Sequence, residues 1–343
     1  MLARNSKLRH PSGLTIETPL LIPSFSSKGF GIGKRRQQGG GEAEVSEVSE
    51  VLVAASEFLT DSMLVSAYDI YYGYIPFPEN AITEITFIDS GGYETSDLQD
   101  LSATFAQKVD SRDWDSERYE DVVARWPKHV PAVLVSFDTG ALWQSHEEQI
   151  ESARTLFGKN HSHLNDFLIK PETKDQKYVQ ISKIVSHAED LGAFHIIGMT
   201  EKELGDSCLK RMENIYKIRS ALDEAGVSAP IHIFGSLDPI TVPLYFMAGA
   251  EIFDGLTWLR YGYYNGMAIY RHNFAARAIG IDRRDDFVKL KALQDNLGFL
   301  RDLTNQMRRF LNDGDFSKFS PNGQMIRDAV DLLQSKVGRR RSK

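Results

Sequence analysis

The chain predicts an α/β fold, specifically a (β/α)8 TIM barrel extended by C-terminal helices. Three observations carry this. Eight short apolar runs rich in β-branched residues recur along the chain, stretches of helical period lie between them, and all eight fall between residues 20 and 256. Eight strand signals with helical connections suit a closed barrel. A doubly wound open sheet is the chief alternative.

The strand signals lie at 20–24, 63–67, 85–89, 132–138, 166–170, 194–198, 231–235 and 252–256. Amphipathic stretches include 145–157, 178–191 and 209–225; the last carries Met212, Ile215, Tyr216, Ile218 and Leu222 at helical spacing and stops at Gly226. Two regions break the pattern. Residues 29–50 contain Gly39-Gly40-Gly41 and a Glu-Val-Ser repeat, too poor in apolar groups to bury a core, and are expected to form a mobile loop. Within it, Gly29…Gly33-Lys34 lacks the glycine spacing and the Ser/Thr of a phosphate loop. From Asp285 the pattern is helical again, at 287–300, 303–311 and 325–333. The expected organisation is a barrel over 1–280, helices packed on it over 281–338, and a disordered basic tail over 339–343.

With 42% hydrophobic and 25% charged residues in 343, the composition is that of a soluble globular protein. No run approaches the ~20 apolar residues of a membrane span, and the N-terminal basic residues have no apolar block behind them, so no signal peptide is expected. A single cysteine, Cys208, excludes an intramolecular disulfide and a cysteine-rich zinc site, and a cytoplasmic location is the default. A net charge of -7 argues mildly against a nucleic-acid partner. Local clusters matter more than the sum. Lys34-Arg35-Arg36, Arg283-Arg284, Arg308-Arg309 and Arg339-Arg340-Arg341 are such clusters, although solvated surface is the plainer reading of each.

Reactive groups of such barrels sit where strands end. Asp89-Ser90-Gly91-Gly92-Tyr93 follows the third strand signal, Asp138-Thr139-Gly140 the fourth, His232-Ile233-Phe234-Gly235 closes the seventh and Phe253-Asp254-Gly255 the eighth. Carboxylates converging on one mouth repel one another, so stability alone does not select them. Two facing carboxylates are what glycosyl transfer through a covalent intermediate uses, one attacking the anomeric carbon and one handling protons. The plain alternative is that aspartate before glycine forms turns.

The motif Asp89-Ser90-Gly91-Gly92-Tyr93 resembles the signature of the tRNA-guanine transglycosylases, zinc-bearing barrels that exchange guanine for a 7-deazaguanine. Thr18-Pro19-Leu20-Leu21-Ile22-Pro23 is similar to that family's first strand. His232-Ile233-Phe234-Gly235, Asp238-Pro239 and Ala248-Gly249-Ala250-Glu251-Ile252-Phe253-Asp254 are similar to its last two strands. The matches run in order from about residue 13 to 266. The resemblance implies that Asp254 is the nucleophile toward ribose C1′ and Asp89 the acid/base partner. Asp138 would read the base edge between the rings of Tyr93 and Phe234, with Ser90, Gly198, Gly235 and Lys170 completing the base site. Arg260, Tyr263, Lys34, Arg35 and Arg36 would meet the nucleic acid, whose target base must leave its stack.

The departures are informative. The family's tRNA enzymes carry three cysteines and a histidine in a zinc subdomain after the last strand; Cys208 lies before it, so no zinc or other cofactor of that type is expected. His161-Ser162-His163 is too little for another metal site. Where bacterial members have two anticodon-contacting arginines, Trp258-Leu259-Arg260-Tyr261-Gly262-Tyr263 keeps one. Lys170 replaces a base-reading glutamine, and Ser66 an asparagine that supports the nucleophile. These changes tilt the expected acceptor from tRNA toward DNA, as in a related branch that inserts 7-deazaguanines there. A catalytically silent partner subunit and a barrel hydrolase are the rival readings. The resemblance also implies a homodimer or a partner protein, although the zinc region that shapes such dimers is missing.

Overall fold

The computed structural model describes residues 1–28, 30, 32–36, 42–96, 99–103, 111–139 and 142–341, the backbone alone for 32–36, 42–45 and 339–341. Eight parallel strands close into a barrel: β1 (Leu20–Phe25), β2 (Ser62–Ser66), β3 (Ile85–Asp89), β4 (Ala132–Val135), β5 (Leu164–Ile169), β6 (Ile196–Thr200), β7 (Ile231–Phe234) and β8 (Ile252–Gly255). Each pairs with its neighbours in sequence, and β8 pairs with β1 through Asp254 opposite Ile22. All eight expected strands are present, with ends shifted by a few residues.

Alternation along each strand divides the core in two. Ile22, Leu64, Ile85, Phe87, Val133, Val135, Leu164, Leu168, Ile196 and Ile252 pack together inside the barrel. Their neighbours Leu21, Val65, Ile88, Leu134, Phe167, Ile197 and Phe253 face the surrounding helices. A short antiparallel hairpin, Lys7–Arg9 with Thr15–Glu17, sends Leu8 and Ile16 into the inner cluster and closes the barrel's N-terminal end.

Helices follow their sequence signals. Ser145 caps His146–Gly158 through a reciprocal capping box with Glu148, and Ser207 caps Cys208–Glu224, which stops before Gly226 at φ 72°. The stretch expected as one helix over 178–191 is a short helix, Ile181–Ser186, and a 3-10 turn, Asp190–Ala193. Conversely, 287–300 and 303–311 merge into one 29-residue helix, Asp285–Asp313, because nothing between them breaks helical backbone. Leu293, Leu297, Leu300, Leu303, Met307 and Phe310 form its buried stripe, and Gly323–Arg341 packs against Cys208–Glu224 and Thr241–Ala248.

The region expected to be a loop over 29–50 contains two paired strands, Ile32–Arg36 and Glu42–Ser46, and the start of helix Glu47–Ala55. Ladder hydrogen bonds supply there what apolar burial could not, since pairing needs backbone and not a core. Gly29, Gly39-Gly40-Gly41, Gly140 and the last two residues of the tail lie outside the described residues. Among the described residues no helix is long and apolar enough to cross a membrane.

Candidate active site

A cavity of about 860 Å³ opens at the C-terminal ends of the strands. Period-two geometry places its chemistry. Asp89, Asp166 and Asp254 share the parity of Phe87, Leu168 and Ile252, so their carboxylates continue the inward row where hydrophobic layers give way to the mouth.

Asp254, 5% exposed, lines the cavity and is surrounded by groups that favour an anion. The Ser24 hydroxyl donates to its Oδ2 at 2.7 Å, and the Gly235 amide donates to its Oδ1 at 3.2 Å. His232 Nε2 lies 3.2 Å from the same Oδ1, close enough for charge attraction, though not aligned as a hydrogen bond. On its other side, His232 Nδ1 lies 2.6 Å from Asp166 Oδ2, and both residues are fully buried. Burial opposes a charge on His232, but the two flanking carboxylates outweigh it and raise the imidazole to about 9. At neutral pH His232 is therefore an imidazolium between two carboxylates.

Asp89 is the opposite case. Burial, then Glu94, Asp138 and Asp254, push its carboxyl well above the usual range, which favours its protonated form. Two carboxyl groups in one cavity thus have contrasting surroundings, donors and an imidazole around Asp254 and further carboxyl groups around Asp89.

The Asp-Ser-Gly-Gly motif has a local explanation. Gly91 turns the chain at φ 86°, and Gly92 leaves room for Asp138, whose backbone oxygen would stand 2.7 Å from a Cβ there. The Ser90 hydroxyl donates to Asp138 Oδ1. Lys170 lies 3.7 Å from Asp138 Oδ2 and 2.9 Å from Glu203 Oε1; burial works against its charge, and these carboxylates more than restore it. Asp138 is thus an oriented acceptor on the cavity wall.

Tyr93 and Phe234 both line the cavity, each with something packed on its ring. The Lys28 ammonium lies 4.1 Å from the Tyr93 centroid, and the Phe234 ring stacks on His232 at 3.8 Å. Gly198 does not line the cavity; it makes space for that stack, since a Cβ there would come 2.5 Å from Phe234 and 2.8 Å from Asp166 Oδ1. Gly235, at φ 75°, turns its amide onto Asp254. Ser66 donates to Glu94 and not to Asp254, which accepts instead from Ser24 on β1.

Two positions expected to meet nucleic acid are engaged elsewhere. Arg260 pairs with Asp100 and also donates to Ser102 and Tyr93. Tyr263 is buried, with its hydroxyl on the Leu237 carbonyl. Lys34, Arg35 and Arg36 belong to the paired strand Ile32–Arg36, and their side chains lie outside those described.

No protein-family model and no curated protein matches this chain.

Among the described residues no three His, Cys, Asp or Glu side chains converge as a metal would need. The site contains partners that no strand-end motif revealed: Asp166 and Ser24, with Glu94, Glu201 and Glu203 around them. Glu201 lines the cavity with its carboxyl raised by burial to about 7, against the opposing effect of a 2.7 Å hydrogen bond from Tyr245. The inward parity of Asp166 and Ser24 was the available signal.

Proposed function

We propose that the chain is a nucleic-acid guanine transglycosylase that exchanges a guanine base for a 7-deazaguanine through a covalent glycosyl-aspartate intermediate. The observation that carries this reading is the contrast between Asp254, surrounded by donors and an imidazolium, and Asp89, whose carboxyl is raised by burial and neighbouring carboxyl groups in the same cavity. Asp254 attacks C1′ of the target nucleotide; the C1′–N9 bond breaks and its electron pair leaves with guanine. Asp89 gives that base its proton. The incoming deazaguanine returns a proton to Asp89, its N9 attacks C1′, and the Asp254 ester bond breaks. Protons and charges balance over the cycle without a cofactor.

Asp138 suits a base edge, because an ionised carboxylate accepts from a ring N–H and an exocyclic amine together. Tyr93 and Phe234 offer ring faces for the base, worth ~1–3 kcal/mol for each stacked base. DNA is the acceptor favoured by the loss of the second anticodon arginine; tRNA is the alternative.

The test is incubation with labelled guanine and either duplex DNA or unmodified tRNA, scoring label in polymer. Label in one of them names the acceptor. Free guanine released with no label incorporated makes the enzyme a hydrolase, and inertness toward both makes the chain a silent subunit. Asp254→Ala is expected to lower exchange by at least about a thousandfold while circular dichroism stays unchanged.

A further inference from the structure

The mouth of the cavity has a composition that base exchange does not require. On the segments after β3 and β4, Leu101, Leu142 and Trp143 line it and remain 53%, 41% and 39% exposed. On the neighbouring segments after β5 and β6, Lys174, Lys177 and Lys202 line the same cavity. Lys174 and Lys177 are exposed at the rim, the ammonium of Lys177 lying 5.3 Å from the Tyr178 ring centroid. Lys202 is half-buried.

Their charges are not spent. Lys170 is paired with Glu203 and Arg260 with Asp100, yet none of the three rim lysines has an ion pair or hydrogen bond among the described residues. Asp175 is the exposed carboxylate among them and offsets one charge. Burial, and after it the Lys170 ammonium, lower the Lys202 ammonium below its ordinary range even though the Glu203, Asp100 and Asp138 carboxylates favour its charge, so a further anion placed beside it would be favoured. The cavity lining as a whole carries more carboxylates than cations, so these three lysines, set at the rim with Asp175 as the exposed carboxylate among them, are where an anionic strand can approach.

Resting on the function proposed above, we infer that this mouth binds an unpaired nucleic-acid strand, with Trp143 stacking a base beside the target and Lys174, Lys177 and Lys202 holding the adjoining phosphates. An aromatic face beside a cationic track is how single strands are gripped without sequence readout. A duplex hides its base faces and could not cover Trp143, Leu142 and Leu101. The position of Lys202 within the cavity also requires a phosphate to approach the mouth closely, which a strand bent around an extruded nucleotide does and a straight duplex does not.

The experiment uses the full chain, fluorescein-labelled oligonucleotides of identical sequence and no deazaguanine, with affinity read by anisotropy across a salt series. Single-stranded DNA and a duplex with an unpaired bulge are expected to bind more tightly than the perfect duplex. Trp143→Ala should weaken single-strand binding about tenfold and leave the salt dependence unchanged. Lys174→Gln/Lys177→Gln/Lys202→Gln should flatten the slope of log affinity against log salt by about 2, at ~0.7 for each phosphate no longer neutralised. Equal or tighter binding of the perfect duplex, or unchanged binding by both variants, overturns the inference. So does guanosine monophosphate that competes as well as the oligonucleotide, because the site would then take a free nucleotide. Strand-selective binding without base exchange refutes the proposed reaction and leaves this site standing. Exchange without strand selectivity does the reverse.

Discussion

At the scale of single residues, the site is organised by where protons sit. In the proposed reaction Asp89 must be protonated to release guanine, and its carboxyl is raised by burial and by Glu94, Asp138 and Asp254. The acid form is lost as pH rises through that raised value, so kcat/KM should fall about tenfold per pH unit on the alkaline side. Asp89→Asn should abolish that limb and lower the rate by about 10²–10⁴; a pH–rate profile of both proteins checks it. His232 is tested through its partners. His232→Gln leaves Asp166 facing no cation, and breaking such a buried pair costs about 3–5 kcal/mol. Adding Asp166→Asn should recover part of that loss, measured as a coupling energy in urea unfolding. Full additivity of the two would mean that the pair does not act as a unit.

At the scale of elements, the long C-terminal helix reaches the chemistry from outside the barrel. Asn296, fully buried on Asp285–Asp313, accepts from the Tyr263 amide at 2.7 Å and donates to the Trp258 and Tyr261 carbonyls at 2.7 and 2.8 Å. Trp258 in turn donates to the backbone of Ser24, whose side chain holds Asp254. Asn296→Ala orphans three backbone groups and should lower the unfolding midpoint by the equivalent of about 2–4 kcal/mol. Exchange activity should fall further than the loss of folded protein explains.

This chain of contacts also marks the limit of what sequence could reveal. The eight strands were legible because buried parallel strands are short apolar runs, and Asp89, Asp138 and Asp254 because turn glycines follow the first two and a strand end exposes the third. Asp166 and Ser24 were hidden by the same rule that makes strands readable. A polar residue inside an apolar run looks like noise until its parity is counted from Leu168 or Ile22. Asn296 was invisible for another reason: its partners lie more than thirty residues away, at separations of 33, 35 and 38, and no local pattern encodes them. The paired strands within 29–50 were missed because a core was required of them.

At the scale of the molecule, the buried carboxyl groups and His232 act in one direction, while His10, His146, His163 and His195 are lowered by burial and act in the other, at pH values below their ordinary one. Asp69, Asp89, Glu94, Asp166, Glu201 and Glu251 are raised, foremost by desolvation, and His232 is raised to about 9 by its carboxylates against burial. A raised group holds its proton more tightly when folded. Its stabilisation is complete below the unfolded value and is lost as pH rises through the folded one. For Glu201 that window runs from about 4.5 to about 7, and for His232 from about 6.5 to about 9. Above the ordinary histidine range, where the lowered histidines no longer oppose it, stability should therefore decline toward alkaline pH. Melting temperatures at about pH 7 and about pH 9 test this; an equal or higher value at the alkaline pH would refute it.

The hairpin that seals the N-terminal end of the barrel leaves the cavity a cul-de-sac. In the proposed reaction, a discarded base and its replacement then share one doorway, across which the polymer itself is draped. They cannot pass each other there. The outgoing base must clear the passage before the newcomer enters, and during that interval the glycosyl ester on Asp254 fixes the target sugar while the rim holds the strand on either side. Traffic of this kind reinforces the ping-pong order that the covalent ester already sets, because the stopper at the far end leaves the spent base no second exit.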